Sequence, residues 1–142
     1  AEITASVSHN HPEGIKGAQA TALAIWMARN GANKDDIRYE MINNLGYDLS
    51  RDCDDIRPTY TFDVSCQGTM PAALAAFFDS TDFESAIRLA VSLGGDSDTI
   101  ACITGGIAEA YYKQIPAEIV SKMHEILPAD WWPIINRINP IN

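Results

Sequence analysis

Between Gly14 and Asn30 the apolar residues Ile15, Ala18, Ala22, Ile25 and Ala28 return at three- and four-residue steps, the period of a helix. The stretch is rich in alanine and suited to close packing. Gly31 supplies a left-handed stop, and Asn33 can cap a second helix that runs through Ile37, Met41, Ile42 and Leu45 and is closed by Gly46. These two helices are expected to pair as a hairpin. From Tyr47 to Gly68 the pattern changes: charged and turn residues lead into the alternating YTFDV, with no helical stripe. This reads as a long loop, and long loops in compact domains are more often functional than accidental, because ordering them costs entropy that packing seldom repays.

Pro71 is placed at the first turn of a further helix, where proline is tolerated, and AALAAFF carries that helix to Ser80. Thr81, Asp82, Phe83 and Glu84 spell a capping box ahead of a helix with Phe83, Ile87, Ala90 and Val91 on its buried face, ending at Gly94 and Gly95. Asp96, Ser97, Asp98 and Thr99 then precede a helix written by Ile100, Ile103, Ile107, Ala110 and Tyr111, with Gly105 and Gly106 inside it where backbones can approach closely. Pro116 opens another helix through Ile119, Val120, Met123 and Ile126. The remainder, Pro128 to Asn142, is interrupted by proline, with Trp131 and Trp132 expected to dock on the body. The expectation is one all-α unit over residues 1–142, without internal repeat or domain boundary.

Composition narrows what such a unit can do. Of the 142 residues 46% are hydrophobic and 20% charged, which predicts a packed core and not a disordered chain. A net charge of −9 leaves no basic stripe for nucleic-acid phosphates, so binding to a DNA or RNA backbone is not expected. No apolar run reaches membrane-spanning length, and the first residues lack the pattern of a signal peptide, so the expected setting is soluble and cytoplasmic. Cys53, Cys66 and Cys102 have neither metal-ligand spacing nor an even count, and are read as reduced thiols.

The GGDSDT segment is the sharpest chemical feature. Two carboxylates two residues apart, followed by a hydroxyl on a glycine-freed turn, can direct hard oxygens at one spot, as magnesium, calcium or manganese requires. The commoner reading is that one of Asp96, Ser97, Asp98 or Thr99 caps the next helix. His9 and His11, in SHNHPEG, lack a third histidine or cysteine nearby, so a polar contact to ligand or backbone is favoured over zinc. Glu13 and Asp63 read as solvated loop charges.

Taken together, SHNHPEGIKGAQATALAIWMAR, the run from RPTYTFDVSCQGTMPAALAAFF through LGGDSDTIACITGGIAEAYY, and the IP beyond it resemble the carboxyl-terminal half of the ADP-ribosylglycohydrolase family, from about Val7 to about Ile119. The resemblance implies an all-α fold, a compact orthogonal helical bundle that is truncated at its amino-terminal half. It implies a hydrolase that removes ADP-ribose from a modified group with two magnesium or manganese ions. Asp96, Asp98 and Thr99 match the family's carboxyl-terminal metal ligands. His9 matches a histidine that touches bound ADP-ribose, and the loop bearing Ser65, Cys66, Gly68 and Thr69, up to Met70, resembles the segment lining the substrate.

The family's GDxxG-like segment, its acidic residue for water activation and its Thr-Asp-Asp triplet belong to an amino-terminal half and have no counterpart here. Catalytic residues are therefore not assigned, and the chain is expected to supply half a site and to be weak or inactive alone. The alternatives are a non-catalytic ADP-ribose-binding module and a structural helical protein. The uncovered face is expected to promote self-association, as a homodimer or by domain swapping.

Overall fold

The computed structural model describes residues 1–138, of which the side chain of Ile138 is left aside. The described residues form helices and connecting loops, with no strand among them. In chain order the helices are α1 (Glu2–Ala5), α2 (Pro12–Arg29), α3 (Lys34–Asn43), α4 (Cys53–Ile56), α5 (Cys66–Asp79), α6 (Phe83–Ser92), α7 (Ser97–Tyr112), α8 (Ala117–Ile126) and α9 (Trp132–Ile138), with a single 3-10 turn at Ala129–Trp131. The all-α expectation agrees with the structure.

The architecture is organised around α5. Every residue from Ala72 to Phe78 is buried, as are Thr69 and Met70. A helix apolar on all sides has to be enclosed, and α2, α6 and α7 enclose it. One side of the core gathers Phe77 and Leu74 with Ala20, Ala24, Ile37, Met41 and Ile107. The other gathers Ala73 and Ala76 with Cys53, Ile56, Ala90, Leu93 and Ile100. Thr104, wholly buried on α7, donates from Oγ1 to the Ala73 carbonyl at 3.0 Å, which satisfies a hydroxyl that the core would otherwise penalise.

Several sequence expectations move by a residue or more, each for a local reason. The buried stripe of α2 is Gly17, Ala20, Ala24 and Ala28, whereas Ala22 is exposed and Ile15 and Ile25 are half-buried. Small residues face α5 and α7 because they permit close approach, so side-chain size and not mere apolarity selects the face. Helix α5 begins at Cys66, with Ser65 as its cap, so Pro71 lies inside it and not in its first turn. Proline there cannot donate to the Gln67 carbonyl, the loss that normally excludes it from helix interiors.

The cap of α6 is Asp82, which accepts from Ser85 N, while the Ser85 side chain returns the bond; Thr81 and Glu84 are not the box. Val91 and Ile42, expected inside, are 52% and 40% exposed. Trp131 is also 52% exposed and does not dock, while Trp132 stacks on His124 with ring centroids 3.5 Å apart. The expected long loop holds the short α4 and ends at Ser65. Helices α2 and α3 are in contact across the Gly31 turn, as the hairpin expectation required.

Two buried acids set the alkaline limit of this core. Burial, with Asp79 next, pushes the Cys53 thiol up to about 12 from 9.0. Burial, with Glu13 and then Cys66 next, pushes the Tyr47 phenol up to about 12 from 10.0. Both groups are neutral in the fold and ionise more readily once unfolded, so their contribution is complete below about pH 9 and is lost as pH rises toward 12. The urea midpoint is expected to hold to about pH 9 and to fall beyond it, and Cys53→Ala should delay the onset toward about pH 10. A flat midpoint through pH 11 would contradict this account.

Candidate functional site

The turn from Gly94 to Thr99 connects α6 to α7. Gly94 and Gly95 both adopt positive φ, at 76° and 62°, which reverses the chain and leaves Asp96 at the N-cap of α7. At this position a carboxylate ordinarily accepts a backbone N–H, yet Asp96 makes no side-chain cap bond. Its backbone carbonyl still accepts from Ile100 N at 3.1 Å, so the helix starts normally. The Asp98 carboxyl lies beside it: a hydrogen bond with the Asp96 carboxyl first, and then the backbone N–H groups of Asp98 and Thr99, hold Asp98 below the usual carboxylate range. Asp98 and Thr99 are exposed, and Asp96 is half-buried.

Beside this turn runs a groove of about 250 Å³ lined by Gly17, Ala18 and Thr21 from α2, Val64 from the preceding loop, Cys66, Thr69 and Met70 from the start of α5, and Thr99 and Ile103 from α7. A β-carbon on Gly17 would stand 3.4 Å from Met70 Cγ and 3.5 Å from Cys66 Sγ, ordinary contact distances, so α2 lies directly on the first turn of α5. Thr21 Oγ1 is tied to the Gly17 carbonyl at 3.0 Å, and Thr69 Oγ1 to the Asp63 carbonyl at 3.4 Å.

A second cavity, of about 370 Å³, opens near the first turn of α5. Its walls include Asp48, Arg51, Tyr60, Asp63, Gln67 and Gly68. Asp63 closes back onto the helix. Its Oδ1 accepts from Ser65 N at 2.7 Å, and Oδ2 lies over Gly68, only 2.0 Å from where a β-carbon would be. These contacts with Ser65 lower the Asp63 pKa. The residue read as solvated loop charge is thus a structural latch.

The residues named from sequence therefore separate. Cys66, Thr69 and Thr99 meet in one groove, next to Asp96 and Asp98 in the chain. Gly68 faces the second cavity, with its N–H accepted by Ser65 Oγ at 3.2 Å. Ser65 caps α5 and lines neither cavity. His9 is exposed and bonds through Nδ1 to Ser8 Oγ at 2.8 Å, outside both cavities, while His11 Nδ1 caps α2 by accepting from Glu13 N at 3.2 Å. Gly17, Thr21 and Tyr60 went unnamed. A glycine and a threonine four residues apart on an alanine-rich face were the only signal for the first two, and nothing local singles out Tyr60.

The ADP-ribosylglycohydrolase family profile matches residues 1–139. The chain is similar to the ADP-ribosylarginine hydrolase Tri1 of Pseudomonas putida strain GB-1, 34% identical over 130 residues that make up 83% of this chain and 34% of that protein. It is 30% identical over 129 residues to the ADP-ribosylarginine hydrolase Tri1 of Serratia proteamaculans strain 568, covering 82% of this chain and 34% of that protein. An uncharacterised protein of Archaeoglobus fulgidus is 31% identical over 130 residues, 82% of this chain and 43% of that protein. The chain thus spans about a third of the length of the two hydrolases it matches. No solved structure matches at a significant level.

Proposed function

We propose a function that follows from one fact: this chain belongs to the ADP-ribosylglycohydrolase family. It serves in a hydrolase that releases ADP-ribose from a modified group, and the two named relatives favour arginine as that group. The chain contributes one half of the site, with the remaining ligands supplied from outside it, in line with the share of each relative that it spans. The apolar side chain of Val64, 77% exposed in the wall of the groove, lies on the face that this reading assigns to the rest of the domain.

Asp96, Asp98 and Thr99 would hold magnesium or manganese. The donor set fits such an ion: it is all hard oxygen, and the Asp96 carboxylate is not spent on capping although it stands at the cap position. Among the described residues no third acidic, histidine or cysteine side chain completes a cluster, so these three are read as a half-site. A bound divalent ion supplies Lewis acidity and a template for the ribose diol and a water.

The chain's own residues do the rest of what is assigned to it. Asp98 is held below the usual carboxylate range, first by the Asp96 carboxyl beside it and then by the backbone N–H groups of Asp98 and Thr99. Thr69, Cys66 and Thr99 offer polar edges in an open groove with apolar walls at Val64, Met70 and Ile103. Glycosidic cleavage passes through an oxocarbenium-like state, which an anionic site stabilises.

The observation that carries the reading is the uncapped Asp96 carboxylate beside Asp98 at the mouth of α7. The test is calorimetric titration of Mg²⁺ and Mn²⁺ into the intact protein and its Asp98→Ala variant. Wild type is expected to bind and the variant to lose at least about tenfold in affinity, about 1.4 kcal/mol. Identical, metal-blind behaviour of the two proteins removes the metal role. The groove also suits a second reading, an ADP-ribose-binding module without turnover, since this chain alone brings Cys66, Thr69 and Thr99 together.

A further inference from the structure

The acidic turn is gripped from a direction that the sequence does not announce. Leu93, just before it, and Ile100, just after it, are both buried in the same part of the core, which fixes the two ends of the turn. Between those anchors the middle of the turn lies against Tyr60 and Thr61. A β-carbon on Gly95 would stand 2.7 Å from Tyr60 Cε1, 3.1 Å from Tyr60 Cδ1 and 3.0 Å from the Thr61 carbonyl, so the Tyr60 ring lies flush on the Gly95 backbone.

Tyr60 is itself fixed. Its N–H donates to the Ile56 carbonyl at 3.0 Å, which ends α4 one turn earlier, and its ring packs on the cluster that contains Ile56, Leu93 and Ile100. Its hydroxyl is buried, with the Thr69 side chain beside it but no well-formed hydrogen bond among the described residues. A phenylalanine would make the same ring contacts without that cost.

We propose that Tyr60 is a positioning residue for the acidic turn: its ring, seated on Gly95, fixes where the Asp96 and Asp98 carboxylates stand. The role of those carboxylates toward a cation rests on the function proposed above, but the grip itself does not. Gly95 is then needed twice, for its positive φ and because any side chain would strike the ring and the Thr61 carbonyl. The long loop and the turn thus meet at Tyr60 and Thr61, both of which also line the polar cavity.

The test is amide hydrogen exchange in the full chain, with Mg²⁺ titration in parallel, on wild type, Tyr60→Phe, Tyr60→Ala and Gly95→Ala. Tyr60→Ala and Gly95→Ala are expected to speed exchange of residues 96–101 at least about tenfold while the α2 and α3 amides keep their rates, and to weaken Mg²⁺ by a similar factor. Tyr60→Phe retains the ring and should stay within about twofold of wild type in both readouts. Unchanged exchange at 96–101 in Tyr60→Ala, or an equal rise throughout α2 and α3, overturns the proposal. Should exchange respond locally while wild type binds no Mg²⁺, the positioning role stands and the metal reading falls.

Discussion

Replacing Lys34 by methionine is expected to lower stability by about 3 kcal/mol, a large fraction of the 5–15 kcal/mol typical of a domain. The ammonium group, at the start of α3, reaches across to the carboxyl end of α5. There its Nζ donates to the Phe78 carbonyl at 3.1 Å, to the Ser80 carbonyl and to Ser80 Oγ at 3.4 Å. The same nitrogen lies 5.0 Å from the Phe77 ring centre, 5.4 Å from Tyr112 and 5.8 Å from Tyr111. Charge-assisted hydrogen bonds contribute about 1.5–3 kcal/mol, and a partly desolvated cation over aromatic faces adds about 1 kcal/mol.

Methionine would preserve the stem and its packing while leaving the last carbonyls of α5 short of a donor. Tyr112 Oη still reaches the Ser80 carbonyl at 2.8 Å, which limits the loss there; the Phe78 carbonyl has no such substitute among the bonds described. At roughly 3–4 °C per kcal/mol for a chain of this size, the melting temperature should fall by about 10 °C. A shift under about 3 °C would mean that the cation is a bystander.

Gly68→Ala should destabilise by about 1–3 kcal/mol, against the sign that helix propensity predicts. At an open position inside a helix this change gains about 0.5–1 kcal/mol. Here the new β-carbon meets Asp63 Oδ2 at 2.0 Å, Cγ at 2.5 Å and Cβ at 3.2 Å, so the side chain cannot simply swing its tip aside. Moving Asp63 gives up the 2.7 Å bond to Ser65 N and loosens the loop that ends at the α5 cap. The double change Asp63→Ala with Gly68→Ala removes the 2.0 and 2.5 Å collisions and leaves only the 3.2 Å approach of the two β-carbons, so thermal unfolding of both singles and the double measures most of it. If the double variant is no more stable than the sum of the singles predicts, the steric account is wrong.

The helical plan was largely legible in the chain, because periodic apolar positions and glycine or asparagine punctuation are local signals that tertiary packing did not override. The faces were less legible. On α2 the sequence offers two apolar stripes that share Ala28, one with Ile15, Ala18, Ala22 and Ile25, the other with Gly17, Ala20 and Ala24. Only the closeness of α5 and α7 selects the smaller one. Starts of helices were misplaced where two residues compete to cap: Asp82 outcompetes Thr81, and Ser65, backed by Asp63, begins α5 ahead of Pro71.

The candidate site divides in the same way. That an acidic pair and a hydroxyl lie on a glycine-freed turn before a helix follows from GGDSDT alone, as does the family to which so long a matching run belongs. Capping and cation binding could not be separated at that level, since both need an oxygen at the same place, and folding decided that Asp96 occupies the cap position without making the cap bond. Folding alone also laid Tyr60 on Gly95, turned Asp63 from a solvated charge into a latch, and joined Cys66 and Thr69 to Thr99 across some thirty residues of chain. Local signals determined which segments are helices and where chemistry is concentrated. Which groups share a surface depended on distances between segments remote in the chain, and those distances are set by the volumes that pack between them.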